Sequence, residues 1–88
     1  MAYRIEVKPS AADVLARIPQ PHRGRIERKI DRLADNPRPG GAKALQGRLS
    51  LYRIRVGDYR VIYQVQDNAL LVLVVRIGSR GDVYRHLP

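Results

Sequence analysis

The chain has 88 residues, seventeen of them Lys or Arg against eight Asp or Glu, for a formal net charge of +9 and no cysteine. That length allows one domain over residues 1–88, because so small a chain buries only about 60% of the surface its unfolded form exposes. The missing cysteine excludes a disulfide framework and thiolate metal sites. No stretch approaches the roughly 20 apolar residues of a membrane span, and the N-terminus has no apolar signal-peptide core. A cytoplasmic protein with no membrane partner is expected. The charge favours a polyanionic partner. Most of the cations are arginine, whose planar fork fits a phosphate in a way lysine cannot.

Tyr3 to Lys8 alternates well enough for an opening strand, which Pro9 closes. Ser10 with Asp13 resembles a capping box, so a helix should start near Ser10, with Ala11, Val14, Leu15 and Ile18 on its buried side. Pro19-Gln20-Pro21 separates it from a second helix over 21–35. There Ile26, Ile30, Leu33 and Ala34 make the apolar stripe. Arg23, Arg25, Arg28, Lys29 and Arg32 line the other side, with Glu27 and Asp31 placed to pair locally. Asn36-Pro37 stops the helix, and residues 36–44 read as loop.

Leu51 to Val65 reads as a hairpin around Gly57-Asp58. Tyr52, Ile54 and Val56 share one face with Tyr59, Val61, Tyr63 and Val65, and Arg53, Arg55 and Arg60 share the other. A two-residue turn puts Val56 opposite Tyr59, Ile54 opposite Val61 and Arg55 opposite Arg60. Like charges directly opposite destabilise a sheet, so the pairing makes sense only if an anion comes to that face. Asp67-Asn68 marks a second turn. Leu70 to Ile77 is apolar on both faces, as an interior strand should be. Residues 78–82 form a polar loop, and 83–87 a tail able to dock as a strand or a helical turn. The fold class is α+β: an N-terminal strand, a two-helix hairpin and a three-stranded antiparallel meander, with the helices on one face of the sheet.

Conventional catalytic sets are missing. His22 and His86 are not placed to pair, and there is no nucleophile elbow, phosphate-binding glycine loop or metal-ligand spacing, so no cofactor is expected. Chemistry would have to run on Arg and Tyr. Clustered guanidinium groups can stabilise charge developing on a phosphate but cannot serve as a general base, since their pKa lies above about 12. Tyr52, Tyr59 and Tyr63 read as strand packing. Tyr84, behind a polar loop bearing Arg80, does not.

The turn GDYRVIY, the ending IGSRGDVYR and the KALQG segment before the hairpin resemble the RelE/ParE toxin superfamily, specifically its RelE branch. The likeness covers nearly the whole chain. It implies the toxin of a type II toxin–antitoxin system, a metal-independent endonuclease (an mRNA interferase) that inhibits translation. Such toxins cut mRNA in the ribosomal A site through the substrate's own 2′-hydroxyl. Arg53, Arg55, Arg60, Arg80 and Tyr84 fall on its catalytic positions, the basic residues holding the scissile phosphate and the tyrosine aligning or stacking on a base. Lys43, Arg48, Ser79 and Arg85 are the accompanying RNA-contact candidates. Relatives carry Lys where this chain has Arg53 and Arg55, and His and Arg where it has Ser79 and Gly81. The implied partners are an acidic, RelB-like cognate antitoxin, the ribosome with its mRNA, and operator DNA only through the antitoxin complex. Two alternatives stand beside this one: a ParE-like toxin that inhibits DNA gyrase without nuclease chemistry, and a degenerate module that only binds its antitoxin.

Overall fold

A computed structural model of the chain describes residues 2–47, 50–79 and 81–84, without the side chains of 81 and 82. Strand β1 (Arg4–Val7) leads into helices α1 (Pro9–Arg17) and α2 (His22–Arg32). A two-residue strand β2 (Lys43–Ala44) precedes β3 (Leu51–Val56), β4 (Tyr59–Gln66) and β5 (Leu71–Gly78), with 3-10 turns at Asp67–Ala69 and Gly81–Tyr84. The sheet order is β1-β5-β4-β3-β2. β1 lies parallel to β5, with Arg4 opposite Leu71, and the remaining pairs are antiparallel. This is the expected α+β architecture. β5 has a strand on each side, as its apolar pattern requires.

Three local expectations need correction. Ser10 does not cap α1: Pro9 already lies in the first turn, and no side chain caps the helix. Proline's fixed φ suits a first turn, so the helix begins one residue early and Ser10 falls inside it. Val14 is exposed rather than part of the α1 stripe, which is carried by Ala11, Leu15 and Ile18. Residues 36–44 are not all loop, because Lys43 and Ala44 pair with Arg53 and Tyr52; a two-residue strand is too short to show alternation.

The main core lies between the helices and one sheet face. Ile26, Ile30 and Leu33 of α2 pack with Ile54, Val61, Tyr63, Val65, Val72 and Val74. Between Ile62 and Tyr63 the β4–β5 register shifts: Ile62 faces Arg76 while Tyr63 faces Val74, leaving Val75 as an extra residue. The bulge reverses the alternation along β5. Val75 keeps the side of Leu73 and joins a second, smaller cluster on the far face, with Leu51, Ile62 and Val83. The turn 81–84 covers this cluster, and Tyr84 packs half-buried at its margin. A Cβ on Gly78 would collide with Val83 Cγ1, so only glycine lets the turn seat there.

At the opposite end of the sheet, Arg38 holds Asp67 with both arms of its guanidinium, at 3.1 and 2.6 Å. Its Nε donates to the Tyr52 hydroxyl at 2.9 Å, and Tyr3 donates to Asp67 at 2.6 Å. Tyr63, stacked on Tyr52, donates to the Pro37 carbonyl at 2.7 Å. Burial pushes the Tyr63 phenol up to about 12, so it stays a donor. The network pins the loop after α2 to the β4–β5 turn. The hydrogen bonds from Arg38, then from Tyr3, hold the Asp67 carboxyl down at about 2.

Gly78→Ala is expected to lower unfolding free energy by about 1–3 kcal/mol in urea titrations, the range for overpacking a filled site. Gly78→Ala/Val83→Ala should be no less stable than Val83→Ala alone, because the obstructing methyl is gone; simple additivity would contradict the steric account. A carboxyl with a lowered folded pKa contributes stability above its unfolded value of about 3.9 and loses it as pH falls through the folded value. The Arg38 amide NMR shift should therefore titrate with a midpoint near pH 2, and should not titrate there in Asp67→Asn. A midpoint near pH 4 in the wild type would mean that the pair does not form in solution.

Candidate functional site

Burial of the hydrophobic faces fixes where the arginines go. Ile54, Val56, Val61 and Val65 are all buried toward the helices, so their neighbours along β3 and β4 must point the other way. The hairpin register is the expected one: Val56 opposite Tyr59, Ile54 opposite Val61 and Arg55 opposite Arg60. Of the two turn residues, Gly57 takes φ +59°, a left-handed value that strains residues with a side chain.

Two rows of side chains result on the far face. One runs Arg55, Arg60, Gly78, and the next runs Lys43, Arg53, Ile62, Arg76. Strands are about 4.8 Å apart, so neighbouring members of a row are within reach of a single phosphate. Arg53 and Arg60 are half-buried, and Arg55 is exposed. Arg60 Nη1 makes a long contact, 3.4 Å, with the Ser79 carbonyl. Among the described residues the ion pairs are Arg4–Glu6 and Arg38–Asp67, and neither involves these three arginines. Tyr84 borders the same face through the 81–84 turn, packed against the cluster that includes Ile62.

Five of the nine candidate residues are thus gathered on one face or at its edge: Lys43, Arg53, Arg55, Arg60 and Tyr84. Ser79 is exposed at the end of β5 and contributes its carbonyl. Arg48, Arg80 and Arg85 lie outside the described residues. The far face is less uniformly polar than the alternation implied, because Ile62 and Leu51 are buried there under Val83. Tyr52, Tyr59 and Tyr63 pack as expected, and His22 lies against the Tyr59 ring, centroids 5.7 Å apart.

One cation on this face escaped sequence reading. Strict alternation puts Arg76 on the side of Val72 and Val74, in the main core. The bulge turns it to the face of Arg53 and Arg60, half-buried. The available signal was the conflict itself: an arginine in a core position, next to a Val74-Val75 doublet that breaks the two-residue period.

Chemically, a preorganised row of guanidinium groups can bind a phosphodiester and stabilise the extra charge of a pentacovalent phosphate. Among the described residues no cluster of His, Asp and Glu is placed to hold a metal ion.

Comparison with known proteins identifies the family. The profile of the family described as the ParE toxin of the type II toxin–antitoxin system parDE matches residues 5–84. The toxin RelE of Mycobacterium tuberculosis is 30% identical, covering 98% of this chain and 90% of that protein. The mRNA interferase toxin RelE of Escherichia coli K12 is 28% identical over 96% of this chain and 92% of its own. The archaeal RelE–RelB complex from Pyrococcus horikoshii OT3 contains a chain that superposes with a TM-score of 0.81 at 31% identity, covering 92% of this chain and 98% of that one. The chain belongs to the RelE/ParE superfamily and is a RelE-like toxin of a toxin–antitoxin system.

Proposed function

We propose that this toxin is a metal-independent endonuclease that cuts mRNA in the ribosomal A site. The observation that carries the reading is Arg53, Arg55 and Arg60 on one face with no carboxylate paired to them among the described residues. Like charges crowded in this way oppose folding, and a bound phosphate reverses the sign. A relative is named an mRNA interferase, which supports the same chemistry.

In the proposed reaction the ribose 2′-oxygen attacks the adjacent phosphorus, and the bond to the 5′-oxygen of the next nucleotide breaks. The products are a 2′,3′-cyclic phosphate and a 5′-hydroxyl. Arg60, between Arg55 and Gly78 in its row, grips the non-bridging oxygens, with Arg53 and Arg55 adding charge. Arg80 completes the set, and Lys43, Arg48, Ser79 and Arg85 flank the strand. Tyr84 supplies a ring for a base to stack on. Arginine cannot take the 2′-hydroxyl proton, so these side chains act by charge and position, and solvent water takes that proton and returns one to the departing 5′-oxygen. Ribosomal RNA supplies the orientation that an exposed face cannot. The cognate antitoxin is an acidic, RelB-like chain, in keeping with the RelE–RelB complex among the solved relatives. Operator DNA is met only through that complex. Among the described residues no helix is long and apolar enough to cross a membrane, and the proposed site of action is the cytoplasm.

The matching family profile is described as ParE toxin, which favours a second reading: inhibition of DNA gyrase by binding alone. Mapping mRNA ends on translating ribosomes, beside a supercoiling assay with purified gyrase, separates the two.

Wild-type protein is expected to cut within A-site codons and leave gyrase active. Arg60→Ala should lower cleavage by about 10²–10³-fold, the cost of one charge-stabilising donor, at an unchanged melting temperature. Full cleavage by that variant would remove Arg60 from the reaction. Tyr84→Phe should keep cleavage within a few-fold of wild type, because the ring does the work. A loss as large as that of Arg60→Ala would assign the hydroxyl a proton-transfer role instead.

A further inference from the structure

A second cationic surface lies around the edge of the sheet from the arginine face. β2 pairs with Tyr52 and Arg53, so among the described residues no strand lies beside the outer edge of β3 from Ile54 to Val56. α2 lies alongside that edge. Between them is a depression of about 290 Å³ lined by Arg25, Arg28, Lys29, Arg32 and Arg55, with Val56 and Gly57. It runs into a second hollow of similar volume that shares Lys29, Arg32 and Arg55 and adds the apolar surfaces of Leu33 and Ile54.

Three features set this groove apart from an ordinary solvated helix face. Among the described residues none that lines it is acidic. Glu27 and Asp31, expected to pair with the α2 cations, form no ion pair with them, the described pairs being Arg4–Glu6 and Arg38–Asp67. Arg25, Arg28 and Arg32 recur at successive turns of one helix face, roughly every 5–6 Å, comparable to the step between phosphates of an extended strand.

We propose that this groove holds the backbone of the substrate RNA beyond the cleavage point. This rests on the nuclease reading above. Arg55 makes the connection, since it pairs with Arg60 on the sheet face and also lines the groove. A strand whose scissile phosphate sits at Arg60 passes over the open β3 edge at Arg55 and follows the α2 cations. An acidic amphipathic helix fits less well, because the outer half of the groove has only Val56 as apolar lining.

The test is binding of a non-cleavable, fully 2′-O-methylated RNA 12-mer, followed by fluorescence anisotropy across a salt titration. Arg28→Ala/Arg32→Ala is compared with wild type, after thermal unfolding shows both folded. A single-strand contact contributes about 0.7 to the slope of log K against log salt, so losing two should flatten it by about 1.4. Affinity should fall about tenfold at moderate salt. A 4-mer, too short to leave the sheet face, should bind both proteins alike. Equal affinity and slope for the 12-mer would overturn the proposal. So would an RNA-neutral variant that instead loses affinity for a helical Glu/Leu peptide, which would assign the groove to a protein partner. Ribosome cleavage by wild type and Arg60→Ala is read in parallel. A flattened slope without wild-type cleavage supports the groove and sinks the nuclease reading; normal cleavage with an unchanged slope does the reverse.

Discussion

The β3–β4 register is the constraint on which the rest depends. Sliding one strand by a single residue would turn Ile54, Val61 and Val65 to the far face and expose about 1.5–3 kcal/mol of burial per side chain. Against that, the repulsion of Arg55 from Arg60 amounts to about 1 kcal/mol or less in water. The core wins, and the cationic face is its by-product in folding terms. What turns a tolerated cost into a site is that the same rows bring Lys43, Arg53 and Arg76 alongside.

The far face is not an open plate of charge. Its centre is occupied by Ile62, Leu51 and Val75 beneath Val83, and the arginines stand around that cap. The arrangement seats Tyr84 against that cap. It depends on two residues with no chemistry of their own: Gly78, which leaves room for Val83, and Val75, whose insertion in β5 reaims its neighbours.

The cations of the fold divide by what they face. Arg38 is held by Asp67 and Tyr52, with Tyr3 donating to the same carboxylate, and it works as a clamp between the loop after α2 and the β4–β5 turn. Arg53 and Arg55, and the α2 cations of the groove, have no such partner among the described residues. With seventeen Lys and Arg against eight Asp and Glu, more than half of the cations cannot find a carboxylate. Placing them on one sheet face and one helix face concentrates the field where a polyanion can enter.

Much of this was legible in the chain itself. Alternation and a tight Gly57-Asp58 turn carry the hairpin, its register and the shared face of Arg53, Arg55 and Arg60, because a period of two and a two-residue loop leave no other consistent pairing. The same local pattern carries the α2 stripe and the interior position of β5. Other features depend on contacts distant in sequence. β1 joins β5 in parallel across more than sixty residues, and nothing in four alternating residues names its partner. β2 exists only because β3 offers it an edge. Arg76 reaches the face of Arg53 and Arg60 only because a bulge against β4 shifts the alternation by one. The groove needs α2 beside an unpaired edge of β3. Periodicity determines which side of its own element a residue takes; which elements meet, and where a strand departs from its period, is settled by the packing of the whole sheet.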